Sequence, residues 1–163
     1  MAMAGHLLAE EIRAEMGFPP PTSVPIIGWA TGFVLHMQTS GLATKGGIPG
    51  PHIISGINGP GMAALITATA LYPFPSPELI SFCQAVATYI MTNAQVFYIG
   101  PPPPAAPDWF LGGTISGLDG AAMAAQVAVA IGKPGPTPDL IAKCSAIVNH
   151  LQTNGQVIDG VIS

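Results

Sequence analysis

SPELISFCQAVATYIMTNAQV, residues Ser76 to Val96, returns ungapped 61 residues later as TPDLIAKCSAIVNHLQTNGQV, residues Thr137 to Val157. The correspondence runs upstream through ISGINGPGMAA (Ile54 to Ala64) and ISGLDGAAMAA (Ile115 to Ala125), so that 18 of the 43 positions from Ile54 to Val96 are identical without a gap. Self-similarity at a fixed period marks a chain built from repeated supersecondary units, each too small to bury its own apolar face. A more diverged copy opens the chain. SVPIIGWATGFVLHMQTSG (Ser23 to Gly41) overlays Thr137 to Gly155 and pairs Ile27 with Ile141, Val34 with Val148, His36 with His150 and Gly41 with Gly155. With one residue of slippage at the preceding turn, Ala9, Gly17 and Pro19 fall on Ala124, Gly132 and Pro134. The copies end alike in IIS, TIS and VIS, which divides the chain into units 1–55, 56–116 and 117–163 of one domain.

Each unit reads as helix, helix, β-hairpin. Residues 4–16 carry Leu8, Ile12 and Met16 at helical spacing with Glu10, Glu11, Arg13 and Glu15 on the other face; Gly17 ends the helix and FPPP forbids its continuation until Thr22 or Ser23 caps the next. That second helix is expected to bury Ile26, Ile27, Ala30, Phe33, Val34 and Met37. In the later units Asn58 and Asp119 are expected N-caps of first helices that carry no charge on any face, a pattern that predicts burial on most sides. Ser76-Pro77-Glu78 and Thr137-Pro138-Asp139 place a capping hydroxyl, a proline and a carboxylate at the starts of the second helices. Asn154-Gly155 is expected to end its helix in a left-handed conformation, and Asp159-Gly160 between two apolar triplets is a two-residue hairpin signal. The fold class is therefore α+β, mainly α: three tandem repeats sharing one core, closed with pseudo-threefold symmetry, the alternative being a short linear stack.

Composition bounds what such a body does. Only 7% of its 163 residues are charged, 49% are hydrophobic, and Gly and Pro number 20 and 18. A surface so short of Lys, Arg, Asp and Glu predicts that much of it is covered in an assembly. A net charge of −4, with Arg13, Lys45, Lys133 and Lys143 as the basic residues, argues against a nucleic-acid partner, which needs a basic footprint. No apolar run reaches the ~18 residues of a membrane span. The acidic start, with Glu10, Glu11 and Glu15, does not read as a secretion signal. Cys83 and Cys144 occupy one repeat position inside apolar stripes and read as reduced core residues of a chain assembled in a reducing cytoplasm.

Candidate chemistry is sparse. His36 and His150 share a repeat position with Tyr89 and read as packing at the flank of the stripe; His6 and His52 have no counterpart and no neighbouring acid in sequence. Three or four converging ligands would be needed for a metal, and a positioned base for a nucleophile; no spacing provides either, so no catalytic, metal or cofactor residue is assigned. The Gly-rich stretches at 41–47 and 56–61 fit neither phosphate-loop nor dinucleotide spacing.

One segment has no repeat counterpart. PPPPAAPDWFLGG, residues 101–113, interrupts the second hairpin with Pro101, Pro102, Pro103 and Pro104, then Trp109 and Phe110. Proline stiffens it into an extended arm and the aromatics suit it to grip a partner, unless Trp109 plugs the core instead. The expectation is a non-enzymatic structural subunit of a large assembly, a virus or phage particle component being the instance the composition favours, with copies of itself or other subunits as partners. The alternatives are a small-molecule-binding protein or enzyme with a pocket between repeats, and an adaptor docking through the proline arm.

Overall fold

The computed structural model describes residues 2–44, 52–98, 113–158 and 161–163. It is mainly helical with a small antiparallel sheet. In chain order the elements are α1 (Gly5–Glu15), α2 (Val24–Ser40), β1 (Leu42–Thr44), β2 (Ile53–Ser55), α3 (Gly59–Thr69), α4 (Pro77–Asn93), β3 (Gln95–Tyr98), β4 (Gly113–Ser116), α5 (Gly120–Ala130), α6 (Pro138–Asn154), β5 (Gln156–Ile158) and β6 (Val161–Ile162).

Local chemistry fixes the helix boundaries. The Asn58 and Asp119 side chains accept from the backbone N–H of Gly61 and Ala122 at 2.7 and 2.8 Å, and Ser76 and Thr137 accept from Leu79 and Leu140 at 3.1 and 3.3 Å. Each bond satisfies one of the orphan donors of a helix N-terminus and contributes about 1 kcal/mol. The short helices α1, α3 and α5 end in one motif. Gly17, Leu71 and Gly132 stand at φ 72, 59 and 74°, and the next residue's N–H reaches back five positions, from Phe18 to Arg13, Tyr72 to Thr67 and Lys133 to Ala128. The long helices end differently. Gly155 lies at φ −66°, ψ 123°, extended like Gly41 and Ala94, so the left-handed stop expected at Asn154-Gly155 is not there. Helix and strand join in line, and a left-handed residue would turn the chain away from the sheet.

The helices pack in chain order, α1 on α2, α2 on α3, α3 on α4, α4 on α5 and α5 on α6, and α6 returns to α1. The strands are ordered β2-β1-β6-β5-β4-β3, all antiparallel. Beyond the edge, His52 and Val96 exchange backbone N–H to carbonyl bonds of 2.8 and 3.0 Å, which joins the β2 end of the sheet to β3. Hairpin partners interleave: β1 pairs with β6, β5 with β4, and β3 with the residue preceding β2. Each strand sends one apolar side chain inward, Ala43, Ile54, Val96, Ile115, Val157 and Ile162, all fully buried. Their burial contributes about 1.5–3 kcal/mol for each Val or Ile. β5 and β6 pair across residues 159 and 160, and that turn, Asp159-Gly160, lies outside the described residues.

Two expectations about the core need correction. Ile27 is exposed, and Trp29, two residues on, is buried instead, because α2 is covered by α1 on one side and α3 on the other. The uncharged helices α3 and α5 are not buried on most sides. Met62, Ala63 and Ile66, and likewise Met123, Ala124 and Val127, face inward, while Ala64, Ala68, Ala125 and Val129 face out. A helix packed between two neighbours has one inner face whatever its sequence, so an all-apolar helix leaves an apolar exterior.

Leu71 is the one non-glycine residue at positive φ among those described, and it is 83% exposed. Because a left-handed L residue costs about 1–2 kcal/mol and glycine returns part of that as unfolded-state entropy, Leu71→Gly should stabilise by roughly 0.5–1 kcal/mol. Urea unfolding measures it; an unchanged or lowered midpoint would contradict the assignment.

Candidate functional site

The long helices α2, α4 and α6 bring three dissimilar side chains together. Trp29, Phe82 and Lys143 occupy one aligned position in the three copies, at sequence offsets of 53 and 61 residues. The Trp29 and Phe82 rings meet edge to face at 5.8 Å, and Phe33 stacks on Trp29 at 5.9 Å. The Lys143 Nζ lies 3.7 Å from the Trp29 ring centroid and 4.8 Å from that of Phe82. The negative π-face offsets part of the cost of removing an ammonium from water, about 0.5–2 kcal/mol. Burial still prevails: it pulls the Lys143 pKa down to about 8. The next aligned position holds Ala30, Cys83 and Cys144, all fully buried. Both cysteines are free thiols, and burial, opposed weakly by the Lys143 charge, pushes each up to about 12.

Two clefts open on either side of Lys143. The smaller, about 160 Å³, is lined by Ile12, Met16, Phe18, Pro25, Ile26, Trp29 and Tyr72. The larger, about 490 Å³, shares Trp29, Tyr72 and Lys143 and runs past Phe74, Ser76, Glu78 and Phe82. A third recess of about 740 Å³ lies elsewhere, along the α4–α5 seam, between Ile80, Ser81, Gln84, Ala85 and Thr88 on one side and Ala125, Gln126, Val129 and Ala130 on the other. No charged residue lines it. Its origin is legible in the α2–α3 seam, where a Cβ at Gly28 would meet Ala70 Cα at 2.6 Å and one at Gly32 would meet Ile66 Cα at 2.5 Å. Ser81 and Ala85 stand at the aligned positions of α4, and the closest approach that glycine permits is lost there.

The polar residues singled out in sequence turn out to hold the seams. His36 Nε2 accepts from the Asn58 N–H at 3.1 Å, Tyr89 Oη from the Asp119 N–H at 3.0 Å and His150 Nε2 from the Ala4 N–H at 3.3 Å. Each is buried, and each satisfies the N-cap amide of the helix that begins the next seam. Desolvation lowers the His36 pKa. The other ring nitrogen of His150, Nδ1, lies 3.2 Å from Glu11 Oε1 and 3.1 Å from Asn154 Nδ2. No group of three or more His, Cys, Asp or Glu able to hold a metal occurs among the described residues. Pro101, Pro102, Pro103, Pro104, Trp109 and Phe110 lie outside the described residues. The Lys143 cluster was not found from sequence, although the alignment that pairs Ile27 with Ile141 also sets Trp29 against Lys143, a cation within an apolar stripe. Comparison with family models, curated proteins and solved structures finds no match to this chain.

Two outcomes follow from the electrostatics. A lysine depressed to about 8 binds fewer protons folded than unfolded, so it opposes folding below pH 8 and the penalty fades as pH rises through 8 toward 10.5. Lys143→Met should therefore stabilise at pH 7 by about 1–3 kcal/mol after the lost cation–π attraction is subtracted, and the gain over the wild-type chain should vanish by about pH 10.5. Denaturant titrations at pH 7 and 10.5 measure it, and a pH-independent difference would rule out the linkage. Separately, Cys83 and Cys144 should resist a bulky thiol reagent at pH 8 in the native state, and either Cys→Ser change should cost roughly 1–3 kcal/mol.

Proposed function

We propose that the chain is a non-enzymatic structural subunit of a large assembly, with a virus or phage particle component as the instance its composition favours. The observation that carries this reading is the uncharged exterior of α3 and α5. Val129 is 78% exposed; the other outer positions of α5 are alanines and Gln126; just after α3, Leu71 is 83% exposed and Phe74 also projects. A lone soluble chain breaks such faces with Lys and Glu; a subunit covers them with its neighbours. Copies of this chain or other subunits are the partners. Assembly in a reducing cytoplasm suits two buried thiols left unpaired.

The finer architecture belongs to the same reading. The body is a closed, pseudo-threefold arrangement of three helix–helix–hairpin repeats, 1–55, 56–116 and 117–163. The return of α6 to α1 favours closure over a linear stack. So do the His52–Val96 bridge and the recurrence of the His36, Tyr89 and His150 bonds at aligned positions. Residues 101–113 have no counterpart in the other hairpins, so the repeat itself does not account for them; Pro101 to Pro104 with Trp109 and Phe110 form the partner-gripping arm.

Sedimentation of the purified chain should give a mass above that of the 16.6 kDa monomer at micromolar concentration or with its co-expressed partners. Val129→Lys, at a surface position, should lower that mass without shifting the melting transition by more than ~2 °C, the response to about 0.5 kcal/mol in a domain of this size. Deleting residues 101–111 should leave circular dichroism unchanged and abolish incorporation. A monomer indifferent to both changes would end the assembly reading, and unfolding on deletion would make Trp109 a core residue.

A further inference from the structure

We propose that the smaller cleft beside Lys143 is a binding site for a small organic anion, a carboxylate carried on one ring-sized or branched apolar group. The inference stands apart from the assembly reading and rests on three observations. The first is an uncompensated cation. Lys143, half-buried, holds its ammonium over the Trp29 ring and has no acidic partner among the described residues, whose carboxylate pairs, Glu10 with Arg13 and Glu11 with His150, lie elsewhere. A partly desolvated charge without a counter-charge favours any anion that can reach it.

The second is the composition of the walls. Ile12, Met16, Phe18, Ile26, Trp29 and Tyr72 present aliphatic and aromatic surface, and no acid lines this cleft. The larger cleft that shares Lys143 carries Glu78, an exposed carboxylate that repels an anion, so the two clefts are not equivalent. The third is size. A volume of about 160 Å³ matches a single aromatic ring, as an apolar cavity of ~150 Å³ holds benzene. One convergent charge on an otherwise apolar, aromatic-walled recess is the arrangement that orients a small acid by its carboxylate.

Benzoate and benzamide, nearly isosteric and different in charge, separate this from unspecific filling of the cleft. In titrations of the full chain followed by the Trp29 indole resonance, benzoate should saturate with a Kd of about 1 mM or tighter and benzamide should bind at least tenfold more weakly. Lys143→Met should bring benzoate down to the benzamide level while the benzamide affinity stays within about twofold. If that variant does not fold, Ile26→Trp, which fills the cleft from a half-buried position, should abolish both shifts. Equal affinity for the two probes, a Trp29 signal that responds to neither, or a benzoate preference that survives either variant would show Lys143 to be a core residue and overturn the proposal.

Discussion

Everything in this molecule depends on α6 coming back to α1. A pair of helices with a two-stranded hairpin cannot satisfy itself: each hairpin has two open edges, and each helix pair buries apolar surface on one side only. Here each helix pair packs on the next, neighbouring hairpins pair strand to strand, and the α1–α6 seam joins elements more than a hundred residues apart. That seam carries its own polar fastening, with His150 accepting from Ala4 and its other nitrogen set against Glu11. Packing α6 on α1 ties the two ends of the chain into one core, at the cost of many long-range contacts that form only when the whole chain has arranged itself.

The uses of the three seams have diverged. Gly28 and Gly32 allow α2 and α3 to touch backbone to backbone, and Thr69 Oγ1 donates to the Gly28 carbonyl at 2.6 Å across that contact. At α4 and α5 the aligned residues Ser81 and Ala85 hold an uncharged groove open instead. One seam thus contributes stability through close packing and another presents surface, although both descend from the same pattern of residues. On the proposed assembly reading that exterior is covered by neighbours, and the low charge then belongs to the assembled state rather than to the isolated fold.

Much of this was legible before any coordinates. The caps at Asn58, Ser76, Asp119 and Thr137, and the end of α1 at Gly17, are local, and local chemistry is written in three or four adjacent residues. The aligned cysteines were legible as core because two copies agree on them. What failed was the orientation of faces. Ile27 and Trp29 both fit a helical stripe, and only the positions of α1 and α3 decide between them. The roles of His36, Tyr89 and His150 were hidden for a similar reason: their partners are backbone amides at the head of another helix, and a backbone amide leaves no mark in the sequence. Leu71 shows the reverse, a position where geometry demands what glycine supplies in the other two copies and the sequence does not comply.

The cluster of Trp29, Phe82 and Lys143 has a consequence for how such a body could arise. Three identical subunits around a threefold axis must present the same side chain three times. Three ammonium groups there would repel one another, and three indoles would compete for one volume. A single chain carrying all three copies is released from that rule, and on the proposed threefold reading it has used the freedom at the one place where symmetry is most restrictive. Gene fusion would then have done more than tether three pieces together: it made the axis chemically heterogeneous, a singular point inside a repetitive scaffold.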